Sequence, residues 1–138
     1  MLGTRTLAAG IFFVAMFGCA ATSTAETNYS LMVEAPREVA LGQAAKAVVR
    51  LVAKGQWKVN KLYPLKLKLK VAEGVDVPKM EMNAGDGLVS DKEVKLEIPF
   101  TVKAGGPRTV TGELRFSVCA ADKCDIKKEL ITWTTKGR

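Results

Sequence analysis

Three stretches of this chain alternate apolar and polar side chains with a period of two, and that pattern constrains the fold more than any other feature. Leu65, Leu67, Leu69 and Val71 are interleaved with Lys66, Lys68 and Lys70. Val94, Leu96, Ile98, Phe100 and Val102 repeat the pattern against Lys95, Glu97, Thr101 and Lys103. Val110, Leu114, Phe116 and Val118 do so opposite Thr109, Thr111, Glu113, Arg115 and Ser117. Successive side chains of a strand point to opposite faces of its sheet, so each stretch reads as a strand with one buried and one wet face. No segment beyond the N-terminal leader offers a convincing amphipathic helix.

Weaker strand candidates cover residues 29–34, 46–53, 57–62, 75–82 and 130–135. Turn chemistry separates them at Gly42, Lys54-Gly55, Tyr63-Pro64, Gly74, Ala84-Gly85-Asp86-Gly87 and Ala104-Gly105-Gly106-Pro107. Seven to eight short strands at this spacing predict an all-β fold, an immunoglobulin-like antiparallel β-sandwich. Pro99 falls on the outward face of its strand and has no N–H to donate, which predicts an edge strand or a bulge there. The Lys66, Lys68, Lys70 row suggests either an anion-binding stripe or a solvated sheet face that also blocks edge-to-edge pairing. We favour the solvated face, because such rows are the ordinary polar half of an antiparallel sheet.

The N-terminus has a different grammar. Arg5 precedes an uncharged stretch, and the run from Leu7 to Phe17 is strongly apolar but too short to span a hydrocarbon core of ~30 Å as a helix. A basic residue, a short apolar run and then small residues form the order of a secretory signal peptide over residues 1–25. Ser23-Thr24-Ala25 suits an ordinary signal peptidase cutting before Glu26. Met16-Phe17-Gly18-Cys19 instead resembles a bacterial lipobox, which would end the leader at residue 18 and make Cys19 the site of lipidation. Either cut predicts a periplasmic or secreted protein, and lipidation of Cys19 would anchor it to a bacterial membrane. The remaining chain, residues 26–138, is the length of one sandwich domain. Its charge is net +6 once Arg5 leaves with the leader, with lysines spread throughout. After export this implies solubility and attraction to anionic lipid or an acidic partner, not nucleic-acid binding.

Chemistry is narrowed by what is missing. The chain contains no His, which removes Ser-His-Asp and Cys-His catalysis and most zinc sites. The glycines fall in turns, leaving no phosphate-binding loop, and no cofactor is implied. Met80 and Met82 share a strand face and, with Met32, suggest a soft copper site, although Met more commonly fills gaps in a core.

The cysteines remain. With Cys19 assigned to the leader or its lipid, Cys119 and Cys124 form an even pair in the mature domain. Cys119 ends the strand at 114–118, Ala120, Ala121, Asp122 and Lys123 form a hairpin loop, and Cys124 opens the next segment. In an oxidising compartment the two should bond. Strand parity places Val118 in the core and Cys119 on the polar side with Ser117 and Arg115. Spacing leaves two readings open, a structural staple in a non-catalytic binding or adaptor module and a working redox pair.

Leu114-Arg115-Phe116-Ser117-Val118-Cys119-Ala120-Ala121-Asp122-Lys123-Cys124 resembles the active-site hairpin of the N-terminal domain of the thiol:disulfide interchange protein DsbD. The segment Lys58-Val59-Asn60-Lys61-Leu62-Tyr63-Pro64, the alternating strand after it, a Gly-rich loop and a long strand ending in Phe100 fit the same context. The resemblance implies an immunoglobulin-like sandwich, Cys119 and Cys124 as the catalytic redox pair, and periplasmic thiol–disulfide proteins as partners. It also implies an aromatic cap over the disulfide, expected in the loop at 82–88. Asp125-Ile126 departs from the proline-containing segment common in the family. The family's membrane-embedded and thioredoxin-like domains are absent from this sequence, so a membrane electron donor acting in trans is expected.

Overall fold

The computed structural model describes residues 28–138. The expected leader, Cys19 and both candidate cleavage points lie outside the described residues. In chain order the strands are β1 (Tyr29–Glu34), β2 (Glu38–Val39), β3 (Ala44–Ala53), β4 (Lys58–Val59), β5 (Lys66–Val71) and β6 (Val75–Asp76). They continue as β7 (Glu81–Asn83), β8 (Leu88–Val89), β9 (Glu93–Val102), β10 (Gly106–Ala120) and β11 (Lys123–Gly137). The one helical element among the described residues is a single 3-10 turn, Ala84–Asp86.

The strands form two sheets. One runs β1-β3-β9-β6 with β8 also on β9, and the other runs β2-β11-β10-β5-β7 with β4 also on β10. Pairing is antiparallel apart from β2 on β11. The apolar faces expected from the period of two meet between the sheets. Leu51, Leu96, Ile98 and Phe100 from one side pack toward Leu67, Leu114, Phe116 and Val118 from the other, all essentially inaccessible. Phe100 tilts against Trp133 at 5.7 Å, and Tyr29 meets Phe116 edge-on at 4.9 Å. Each such side chain stabilises the fold by about 1.5–3 kcal/mol relative to being left in water.

Eleven strand segments replace the seven or eight expected, because several pairings last only two residues. The 57–62 candidate contracts to β4, since Asn60 turns the chain: its side chain accepts from the Leu62 N–H and its carbonyl from the Tyr63 N–H. The 75–82 candidate splits into β6 and β7 around Pro78, which cannot donate to a ladder. Conversely, β11 begins well before residue 130. Asp125, Lys127 and Glu129 occupy its inward positions, so the apolar signal fades there, and Asp125 and Glu129 are satisfied by Asn28 and Tyr29.

Pro99 sits where β9 has a neighbour on one side only, between the short pairings with β8 and β6, as its missing donor requires. Lys66, Lys68 and Lys70 are exposed on the outer face of β5. Edge protection is not the role of Lys66 and Lys68, because β5 is flanked there by β10 and β7.

Candidate functional site

Cys119 and Cys124 face one another in register at the tip of the β10–β11 hairpin, with Cα atoms 4.0 Å apart, and they are joined as a disulfide. The ladder continues one pair further, Ala120 with Lys123, so the loop is a two-residue turn at Ala121 and Asp122. Ala121 adopts φ 49°, a left-handed conformation that Gly or Asn holds more readily. The turn thus carries local strain while bringing the two sulfurs to adjacent strands.

The two cysteines are not equivalent. Cys119 is half-buried, with β11 on one side and β4 on the other, where Lys58 is its register partner. Cys124 is exposed on β11, which among the described residues has no hydrogen-bonded strand beyond it at this end. Directly opposed residues of an antiparallel pair share a face, so Lys58, Cys119 and Cys124 form one row.

Parity assigned Cys119 correctly to the side opposite Val118, but Ser117 is not solvated as expected. It is buried, with its carbonyl accepting from the Asn60 N–H at 2.8 Å and its hydroxyl 3.5 Å from Asn60 Nδ2. The chain that turns at Asn60 covers this part of the outer face, which a one-strand pattern does not reveal.

The ring at this end of the molecule is Trp57, one residue before Lys58, and it was not anticipated. The Lys123 ammonium lies 5.4 Å from its ring centroid. The Trp57 backbone is held by its N–H to the Lys54 carbonyl at 3.0 Å and by the Lys92 ammonium on its own carbonyl at 2.7 Å. The 82–88 loop approaches the same end of the molecule, where Ala84 lines a small crevice with Asn60, Tyr63, Phe116 and Ser117, but it carries no aromatic side chain. The tryptophan just ahead of the Lys58–Pro64 motif was the available signal.

The surroundings of the pair carry charges of both signs, Lys58, Lys61 and Lys123 with Asp91, Asp122 and Asp125. Lys61 bridges Asp91 at 2.9 Å and, aided by Lys58, holds that carboxyl below the usual range. Asp125 accepts from Asn28 Nδ2 at 2.6 Å. Lys58 and Lys123 make no ion pair among the described residues. No metal-binding group of three or more His, Cys, Asp or Glu side chains occurs among the described residues. The methionines do not gather either: Met82 is in the core, whereas Met80 is exposed just before β7 and Met32 is exposed on β1 of the other sheet. The copper site suggested by their spacing is therefore not assembled.

No family model matches the chain, and no curated protein matches it. Among solved structures it is similar to native alpha-2-macroglobulin from Escherichia coli, with a TM-score of 0.56 at 13% identity over 82% of this chain. A fragment of that protein running from domain MG7 to the C-terminus is similar at a TM-score of 0.53 and 15% identity over 80% of this chain. The aligned region spans 7% of the whole macroglobulin and 16% of the fragment. Identities this low establish architecture alone: the protein is an immunoglobulin-like β-sandwich.

Proposed function

We propose that the protein is an extracytoplasmic thiol–disulfide exchange domain that passes reducing equivalents between partner proteins through Cys119 and Cys124. The observation that carries this reading is the placement of the bond. It lies at an exposed hairpin tip whose two strands are already paired over fifteen positions and locked by the core. Closing so short a loop contributes only about 2 kcal/mol by chain entropy. The bond is therefore dispensable for holding the hairpin and accessible to another protein's thiol.

The chemistry begins with a thiolate of a partner dithiol attacking Sγ of the exposed Cys124. A mixed disulfide forms as the internal S–S bond breaks, and Cys119 leaves with the electron pair as a thiolate. The partner's second thiolate attacks its own sulfur in the mixed disulfide, which frees Cys124. The partner ends as a disulfide, two electrons have moved to the domain, and the two protons released by the partner balance those taken up by Cys119 and Cys124. A second partner's disulfide then receives the electrons by the same steps in reverse. Lys58, in the same row as Cys119, places a positive charge on the face from which the thiolate leaves.

Equilibrating the oxidised protein against glutathione buffers and counting free thiols tests the proposal. A reduction potential above about −300 mV is expected, because labile functional bonds lie above that value and structural ones below it. A bond that resists reduction until the fold is lost would identify a staple and leave a non-catalytic binding module in its place.

A further inference from the structure

The outer face of the six-stranded sheet combines two strongly exposed apolar side chains, Ile126 and Leu130, with unpaired positive charge. Along β11, Cys124, Ile126, Lys128 and Leu130 alternate onto this face, and Ile126 is 66% and Leu130 80% exposed. Register across the sheet sets Lys128, Arg115 and Lys66 in one row and Leu130, Glu113, Lys68 and Glu81 in the next. Leu130, Glu113, Lys68, Lys70 and Thr111 line a shallow open groove.

Both carboxylates of these rows are committed. Glu81 pairs with Lys66 at 3.0 Å, and Glu113 with Arg115 at 3.0 Å and Lys128 at 3.4 Å, which holds each carboxyl below its ordinary range. Lys68 and Lys70 are exposed and make no ion pair among the described residues. The face is thus net positive, with two apolar contacts in line with the exposed sulfur. Ile126 is about 7 Å and Leu130 about 20 Å along the strand from Cys124 at the usual rise per residue.

We infer that this face docks an acidic protein surface bearing exposed apolar side chains. The inference rests on the exchange reading for its purpose, which is to align that partner's cysteines with Cys124. A protein suits the arrangement better than an anionic bilayer does. The face is a sheet with only two apolar side chains, Ile126 and Leu130, to offer a hydrocarbon interior, and its charges are of both signs, with Glu113 and Glu81 set among the lysines and Arg115. A folded partner can match those carboxylates with donors and bury Ile126 and Leu130 as a small apolar centre within a charged rim.

The probes are two reduced Cys-X-X-Cys peptides that differ only in flanking residues, alternating Glu and Leu in one and Lys and Leu in the other, with dithiothreitol as an uncharged control. Reduction of the oxidised protein by the acidic peptide should be about tenfold faster than by the basic one at low ionic strength, with the gap closing in high salt. Lys68→Glu with Lys70→Glu should reverse the order. Ile126→Ser with Leu130→Ser should slow the acidic peptide several-fold and leave the dithiothreitol rate unchanged. Equal rates for the two peptides, or a preference that survives the Lys68→Glu and Lys70→Glu changes, overturn the inference. So does lysine-dependent capture by phosphatidylglycerol vesicles alongside indifference to the acidic peptide. If no thiol reduces the bond, fluorescence anisotropy of the labelled acidic peptide on the oxidised protein separates the two proposals. Lysine-dependent binding then keeps the surface and rejects exchange, and its absence rejects the surface.

Discussion

The two ends of the β10–β11 hairpin are built on opposite principles. At the base, β2 runs parallel to β11, and backbone bonds tie Lys136 to Arg37, Arg138 to Val39 and Leu41 to Arg138. The Arg108 guanidinium donates to the carbonyls of Glu73 and Gly105 at 3.1 and 2.7 Å. Gly137 is packed so closely that a Cβ there would stand 2.5 Å from the Ala104 carbonyl oxygen and 2.8 Å from Leu41 and Val102 side-chain carbons. At the tip, a left-handed Ala121, two residues of β4 and one cation–π contact accompany the disulfide. The covalent bond therefore lies at the end that carries the left-handed turn and the exposed edge of β11. A staple placed for stability would be more effective closing a longer loop, whereas a bond placed for access belongs where partner proteins can reach it.

Substitutions at the two ends should separate them. Gly137→Ala should destabilise by about 3 kcal/mol, because backbone at the base must shift to admit a methyl group. Denaturant midpoints at constant m-value give the comparison, and a Gly137→Ala protein as stable as the parent would remove the idea of a rigid base. Replacing Cys119 and Cys124 together with Ser should cost no more than about 2 kcal/mol and leave a cooperative, folded domain. Loss of folding in that protein would equate the two ends and restore the staple.

Between the ends, the Tyr29 hydroxyl donates to the Glu129 carboxylate, and burial beside that charge pushes the Tyr29 pKa up to about 12. The neutral ring is the form the fold favours. Its contribution is complete below the unfolded value near 10 and disappears as the pH rises through about 12. Tyr29→Phe should cost about 1 kcal/mol at neutral pH through the lost hydrogen bond, and should flatten the alkaline fall in stability between those values. An unchanged alkaline profile would mean that the tie between β1 and β11 contributes nothing there. The smallest effect is expected at the tip itself: Lys123→Ala should cost about 0.5 kcal/mol, the scale of an exposed cation–π contact. A larger loss by the same denaturant titration would show the tip to be better supported than its contacts indicate.

The legibility of the molecule follows the same division. Strands β5, β9 and the middle of β10 were readable because each buries one face, and burial imprints a period of two. The start of β11 was not, since Asp125 and Glu129 fill inward positions and depend on Asn28 and Tyr29, almost a hundred residues away. Within the site, the pairing of Cys119 with Cys124 and the side of the sheet that carries them followed from spacing and parity. Trp57 and Lys58 did not, because a two-residue strand such as β4 has no periodicity to detect and its pairing with β10 is a tertiary outcome. Ser117 was misassigned for the same reason: the turn at Asn60 covers a face that alternation alone leaves open.

The reduction potential of the Cys119–Cys124 bond in the folded protein decides most directly between access and staple. Equilibration with glutathione should give a value above about −300 mV, with the fold intact on both sides of the transition. A value well below that, or reduction only after the sandwich has unfolded, would contradict the account and make the tip a structural closure like the base.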